Sequence, residues 1–93
     1  MMQKYLIHIS EIAKQMLHSH ATFLEQVSES AGERLVTSFV DAAKSLESMP
    51  ERCSWYKGNY VPRNLYRCLL FEKRYALIFQ VEETTVYVDY VII

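Results

Sequence analysis

The stretch from Leu65 to Ile93 constrains this chain more than any other. It reads Leu-Tyr-Arg-Cys-Leu-Leu-Phe, Glu-Lys-Arg, Tyr-Ala-Leu-Ile-Phe-Gln-Val, Glu-Glu-Thr, Thr-Val-Tyr-Val-Asp-Tyr-Val-Ile. Three runs rich in aromatic and β-branched residues, divided by short polar clusters, predict antiparallel strands joined by tight turns. A parallel crossover needs a dozen or more residues, so connections this short make a meander. One face of such a sheet needs a cover, which the rest of the chain must supply.

Residues 4 to 9 predict an opening strand, with Tyr5, Ile7 and Ile9 on one face and Leu6 and His8 on the other. Ser10 and Glu11 then offer a hydroxyl cap and a first-turn acid. Ile12, Met16, His20, Phe23 and Val27, flanked by Ala13, Leu17 and Leu24, predict the apolar stripe of a first helix. Ser28 to Gly32 breaks that pattern, and Ser30 with Glu33 forms a capping box for a second helix. Its expected core positions are Leu35, Phe39, Ala42, Leu46 and Met49, and Pro50 ends it. Two helices with so short a break form an αα-hairpin. Trp55, Tyr56 and Tyr60 suggest that residues 51–64 pack down, with Gly58-Asn59 and Pro62 as turn signals and room for a short extra strand.

The order β-α-α-β-β-β is an α+β domain, a helical hairpin packed on an antiparallel sheet. Counting chain reversals makes the first strand run opposite to the last. The 93 residues suffice for one domain, 1–93, with one modest core. No apolar run approaches the ~18–20 residues that span a bilayer, and the start lacks the apolar stretch of a signal peptide. The expectation is a cytoplasmic protein without a membrane partner. Cys53 and Cys68 belong to no Cys-x-x-Cys pair and read as buried free thiols, with a disulfide as the alternative.

The net charge of −1 hides an asymmetry. Arg52 to Arg74 holds six cations and one anion, a local +5, while the remainder holds four cations and ten anions, a −6. A basic region of this kind suits a polyanion or an acidic partner, and equally a solvated surface without one. His8, His18 and His20 form no metal set, since His18 and His20 point to different sides of a helix. Zinc, glycine-rich phosphate-loop and nucleophile-elbow signatures are absent from the sequence, which predicts no cofactor and no metal.

Several pieces in order carry a resemblance. They are the opening strand followed by Ser10-Glu-Ile-Ala13, the helix end Leu46-Glu-Ser-Met-Pro50-Glu-Arg52, Tyr66-Arg67-Cys-Leu-Leu70, Tyr75-Ala-Leu-Ile-Phe-Gln-Val81 and Val86-Tyr-Val88. Together they resemble the RelE/ParE superfamily of toxins from bacterial type II toxin–antitoxin systems, over nearly the whole chain. The resemblance implies the RelE-like two-layer fold and neutralisation by a cognate antitoxin. It also implies one of two targets: the ribosome with its mRNA, cleaved without metal by RelE-type members, or DNA gyrase, the target of ParE-type members.

The chain departs from the RelE-type pattern. Arg67 occupies the first expected cationic position, but Leu69 fills the alternate one, Ala76 follows Tyr75 where an arginine is usual, and no basic-aromatic tail follows the last strand. RNA cleavage needs cations on the scissile phosphate and groups that move protons. The expectation is therefore a ParE-like, non-nucleolytic toxin. Its alternatives are a RelE-like ribosome-dependent mRNA endonuclease and a non-toxic interaction module. Arg67 and Tyr87 are the weak catalytic candidates. Arg63, Arg67, Leu69, Phe71, Lys73, Arg74 and Ile78 are the candidates for binding a target or antitoxin. Leu6, Leu69, Phe71, Ala76 and Ile78 are expected to line the sheet face away from the helices.

Overall fold

A computed structural model of the chain describes residues 4–58 and 60–93. The elements run β1 (Leu6–Ile9), α1 (Glu11–Glu25), α2 (Glu29–Ser45), a 3₁₀ turn (Pro50–Arg52), β2 (Ser54–Trp55), β3 (Arg67–Phe71), β4 (Tyr75–Glu82) and β5 (Thr85–Ile92). The meander and the helical hairpin form as the sequence predicts. They make two layers, with both helices packed on one face of a five-stranded sheet ordered β1-β5-β4-β3-β2.

The sheet is mixed. β2 through β5 are antiparallel neighbours, but β1 joins β5 in parallel, with Ile7 opposite Val86 and Ile9 opposite Val88. The reversal count from sequence gave the opposite orientation because it omitted β2. That two-residue strand pairs antiparallel with β3 and adds one reversal, which turns β5 parallel to β1.

The hairpin's boundaries and phase also differ from expectation. Ser10 does cap α1, its hydroxyl accepting from the Ala13 amide at 3.0 Å. α2 begins earlier than predicted, at Glu29 with Ser28 as a cap that makes no side-chain bond, so Ser30 lies inside the helix and its capping box does not form. Gly32 is buried within α2 at the helix crossing, where an added Cβ would meet the Ala21 carbonyl at 2.9 Å. The buried side of α1 is set by the small residues Ala13 and Ala21, with Met16, Leu17 and Leu24 beside them. Ile12, Phe23 and Val27 are exposed. Leu35, Phe39 and Leu46 are buried as expected, whereas Met49 is exposed and turns the chain at φ 49° ahead of Pro50.

Leu77, Phe79, Val86, Val88 and Val91 are fully buried beneath the helices, at 0–1% exposure with Leu35 and Leu46 against them. Removing surface of this kind from water is the main stabilising contribution. Cys53 and Cys68 are free, Cys53 buried in this core and Cys68 half-buried on the other face. Among the described residues, no helix is long and apolar enough to cross a membrane.

Candidate functional site on the open sheet face

Strand register decides which residues face away from the helices. Leu69 lies opposite Leu77, and Phe71 opposite Tyr75, so both point toward the helical layer. Phe71 is 7% exposed and stacks edge-on against Phe39. Expecting Leu69 and Phe71 on the open face therefore put β3 out of phase by one residue; Cys68 and Leu70 lie there, opposite Ile78 and Ala76. Leu6, Ala76 and Ile78 do lie on that face. Ile78 is only 2% exposed, which leaves it no surface for a binding contact.

The last strand also changes phase. Phe79 pairs with Val88 and Ile78 with Tyr90, so Asp89 is an extra residue in a β-bulge. Continuous alternation predicts Tyr90 inward with Val86 and Val88. The bulge instead turns Asp89 and Tyr90 outward together and returns Val91 to the core. Its backbone is held from the helix side. The Ser10 hydroxyl donates to the Asp89 carbonyl at 3.1 Å, and His20 Nε2 lies 3.0 Å from the Val91 carbonyl.

These registers assemble one row across the open face. His8 lies beside Tyr87, Tyr87 opposite Gln80, and Tyr66 continues β3 on the far side of β4. The His8 and Tyr87 rings meet edge to face at 5.6 Å. The Tyr66 and Tyr90 rings are 5.9 Å apart, although their strands flank β4, so they lean together over it. Beneath them Gln80 Nε2 donates to Asp89 Oδ2 at 2.9 Å. Partial burial, and then the neighbouring Asp89 carboxylate and Tyr90, raise the Tyr66 hydroxyl above its ordinary pKa. Imidazole, carboxylate and phenol are groups that can move protons. Among the described residues, no lysine or arginine occupies a strand position on this face. Those positions are Leu6 and His8, Ser54, Cys68 and Leu70, Ala76, Ile78, Gln80 and Glu82, then Thr85, Tyr87, Asp89, Tyr90 and Ile92.

The predicted cations are elsewhere and apart. Arg67 faces the helix side at the sheet edge, where its Nη1 donates to the Cys53 carbonyl at 2.7 Å and the Glu51 carbonyl at 3.1 Å. Its guanidinium carbon stacks 3.8 Å above the Trp55 ring. The small cleft beside it is also lined by Glu51 and Glu82, which repel a phosphate. Arg52 is similarly occupied, bonding the Ser48 and Met49 carbonyls after α2 at 3.0 and 3.1 Å. Arg63 borders a separate cavity with Lys57, Trp55 and Tyr56. Lys73 sits in the β3–β4 turn at φ 66°. Arg74 leaves that turn toward a groove of about 550 Å³ lined by Phe23, Leu24, Leu35 and Tyr75. Tyr87 alone among the sequence candidates joins the open-face cluster as an accessible side chain. Asp89 shares its face, as alternation two residues along the strand requires. Tyr66, Gln80, Tyr90 and His8 were not singled out, although Gln80 as the one polar residue inside an apolar strand was a signal.

No protein-family model matches the chain, and no curated protein matches it by sequence. By structure it is similar to a chain of the chromosomal ParDE TA system from P. aeruginosa. The two superpose with a TM-score of 0.75 over 97% of this chain and 96% of the other, at 13% sequence identity. At that identity the likeness establishes a common fold, which in this chain is two helices on a five-stranded mixed sheet.

Proposed function

We propose that this protein is the toxin of a type II toxin–antitoxin module, acting without RNA cleavage in the ParE-like manner and neutralised by a cognate antitoxin. The likeness to a ParDE chain along nearly the full length of both molecules carries the module-level reading. It is an argument from fold, and one fold can host several activities. The non-nucleolytic branch rests on this chain's own residues. The open face offers Tyr87, His8 and Asp89 as proton-moving groups but no cation to stabilise charge on a scissile phosphate. Arg67 is engaged by the connector's carbonyls and Trp55, and the cleft it borders at the sheet edge also carries the Glu51 and Glu82 carboxylates. By this reading the target is a protein such as gyrase, and the site of action is the cytoplasm.

The test is induced expression in a bacterial host, with and without the reading frame beside this gene. Growth arrest relieved by co-expression of the neighbour is the expected result. Unimpaired growth with abundant folded protein would remove the toxin reading and leave an interaction module. Arrest accompanied by cut messages would instead favour the RelE-like alternative.

A further inference from the structure

We infer that the open sheet face is a receptor for an arginine side chain presented by a partner protein, received between Tyr66, Tyr87 and Tyr90 and paired with Asp89. Three phenol rings border a single half-buried carboxylate on this face. Among the described residues the ion pairs are Lys4–Glu47 and Lys14–Glu11, so none of these residues gives Asp89 a cationic partner. Its side-chain hydrogen bond is to a neutral donor, the Gln80 amide at 2.9 Å. A carboxylate satisfied only by neutral donors retains its charge for an incoming cation. The electron-rich ring faces attract the same cation, and a planar guanidinium can stack on a ring while bonding the carboxylate. Tyrosine is also a residue type enriched where partners bind tightly.

Charge selects among occupants. A nucleic-acid strand could stack on the tyrosines, but its phosphates would meet Asp89 and Glu82 with no lysine or arginine among the described strand positions of the face to neutralise them. The bulge supplies the geometry, since without the extra residue Asp89 and Tyr90 could not both face outward. This inference stands apart from growth inhibition and needs only that the open face be accessible.

The experiment is an NMR titration of the intact protein with the capped tripeptide Gly-Arg-Gly, its citrulline counterpart and uridine monophosphate. The arginine peptide should shift the Tyr66, Tyr87 and Tyr90 ring signals and the Asp89 backbone signal. Neutral citrulline should bind at least about fivefold more weakly, the loss expected for one charge-assisted contact near solvent. Asp89→Asn should reduce the arginine peptide to the citrulline level while the core methyl signals of Val86 and Val88 stay in place. Absence of shifts, equal response to citrulline, shifts centred on Glu25 or Glu29, or a stronger response to the nucleotide would each overturn the assignment. So would the same shifts appearing on concentration of the protein alone, which would put a second copy on this face.

Discussion

The two faces of the sheet are built from the same strands and do opposite work. On the helix side Leu77, Phe79, Val86, Val88 and Val91 are all 0% exposed, and the proton-moving groups packed around them, Tyr5, His20, Cys53 and Tyr75, lie at the margins of that layer. On the open side the same strands present half-buried Gln80, Tyr87 and Asp89 and exposed Tyr90, with Gln80 bonded to Asp89. Apolar packing is concentrated on one face and most titratable groups on the other, and the bulge in β5 places Asp89 and Tyr90 together on the open one.

The sharpest contrast is between two rings of similar size. Phe79→Ala should lower unfolding free energy by about 3–5 kcal/mol, since it leaves a void in a fully buried layer. Tyr87→Ala should cost less than about 1 kcal/mol, because its contacts are shared with exposed His8 and solvent. Urea denaturation of both variants checks the pair. Comparable losses would mean the open face is a second core.

Arg67 tests the boundary between the faces. Arg67→Ala removes two bonds to connector carbonyls and the stack on Trp55, and should destabilise by roughly 1–3 kcal/mol. Arg67→Lys should recover little of it, because one ammonium cannot both stack and reach two carbonyls. If thermal unfolding is unchanged in Arg67→Ala, the guanidinium is free and its catalytic candidacy revives.

The cysteines sharpen the comparison chemically. Burial pushes the Cys53 thiol above its ordinary pKa, only partly countered by Arg52 and Arg67. Less thiolate and less access both slow alkylation, so iodoacetamide at mild alkaline pH should modify Cys68 first, as peptide mass spectrometry would show.

Tyr66 gives the smallest effect. Its folded-state pKa is raised above the ordinary 10.0, so the folded protein holds this proton longer than the unfolded chain does. That contribution is complete below the unfolded value and is lost as pH climbs through the folded one. Tyr66→Phe should therefore flatten the decline in stability above about pH 10, as unfolding at stepped alkaline pH can measure.

Much of the architecture was legible because it depends on composition over whole segments. The meander, the helical hairpin and Ser10 as a cap follow from runs, breaks and a hydroxyl in the right place. What misled was phase. In α1, Ile12 and Phe23 outweigh Ala13 and Ala21 in hydrophobicity, yet the alanines face inward because small side chains let two helices and a sheet approach closely. In β5, Thr-Val-Tyr-Val-Asp-Tyr-Val-Ile alternates without a mark at the bulge, whose position depends on β4 and on the Ser10 hydroxyl. β2 is two residues long, too short to announce itself, and it reverses the sense of β1 against β5. The direction of Arg67 followed from the same register. The open-face cluster was only partly visible because four strands and one bulge must be aligned before Tyr66, Gln80, Asp89 and His8 become neighbours.

The absence of cations from the open face is the claim on which the functional reading turns. Mapping of message ends in a bacterial translation extract supplied with the purified protein tests it most directly. The account predicts intact messages at protein concentrations that arrest growth in cells. Cleavage between codon positions on translating ribosomes, abolished by Tyr87→Phe in a protein that remains folded, would contradict it.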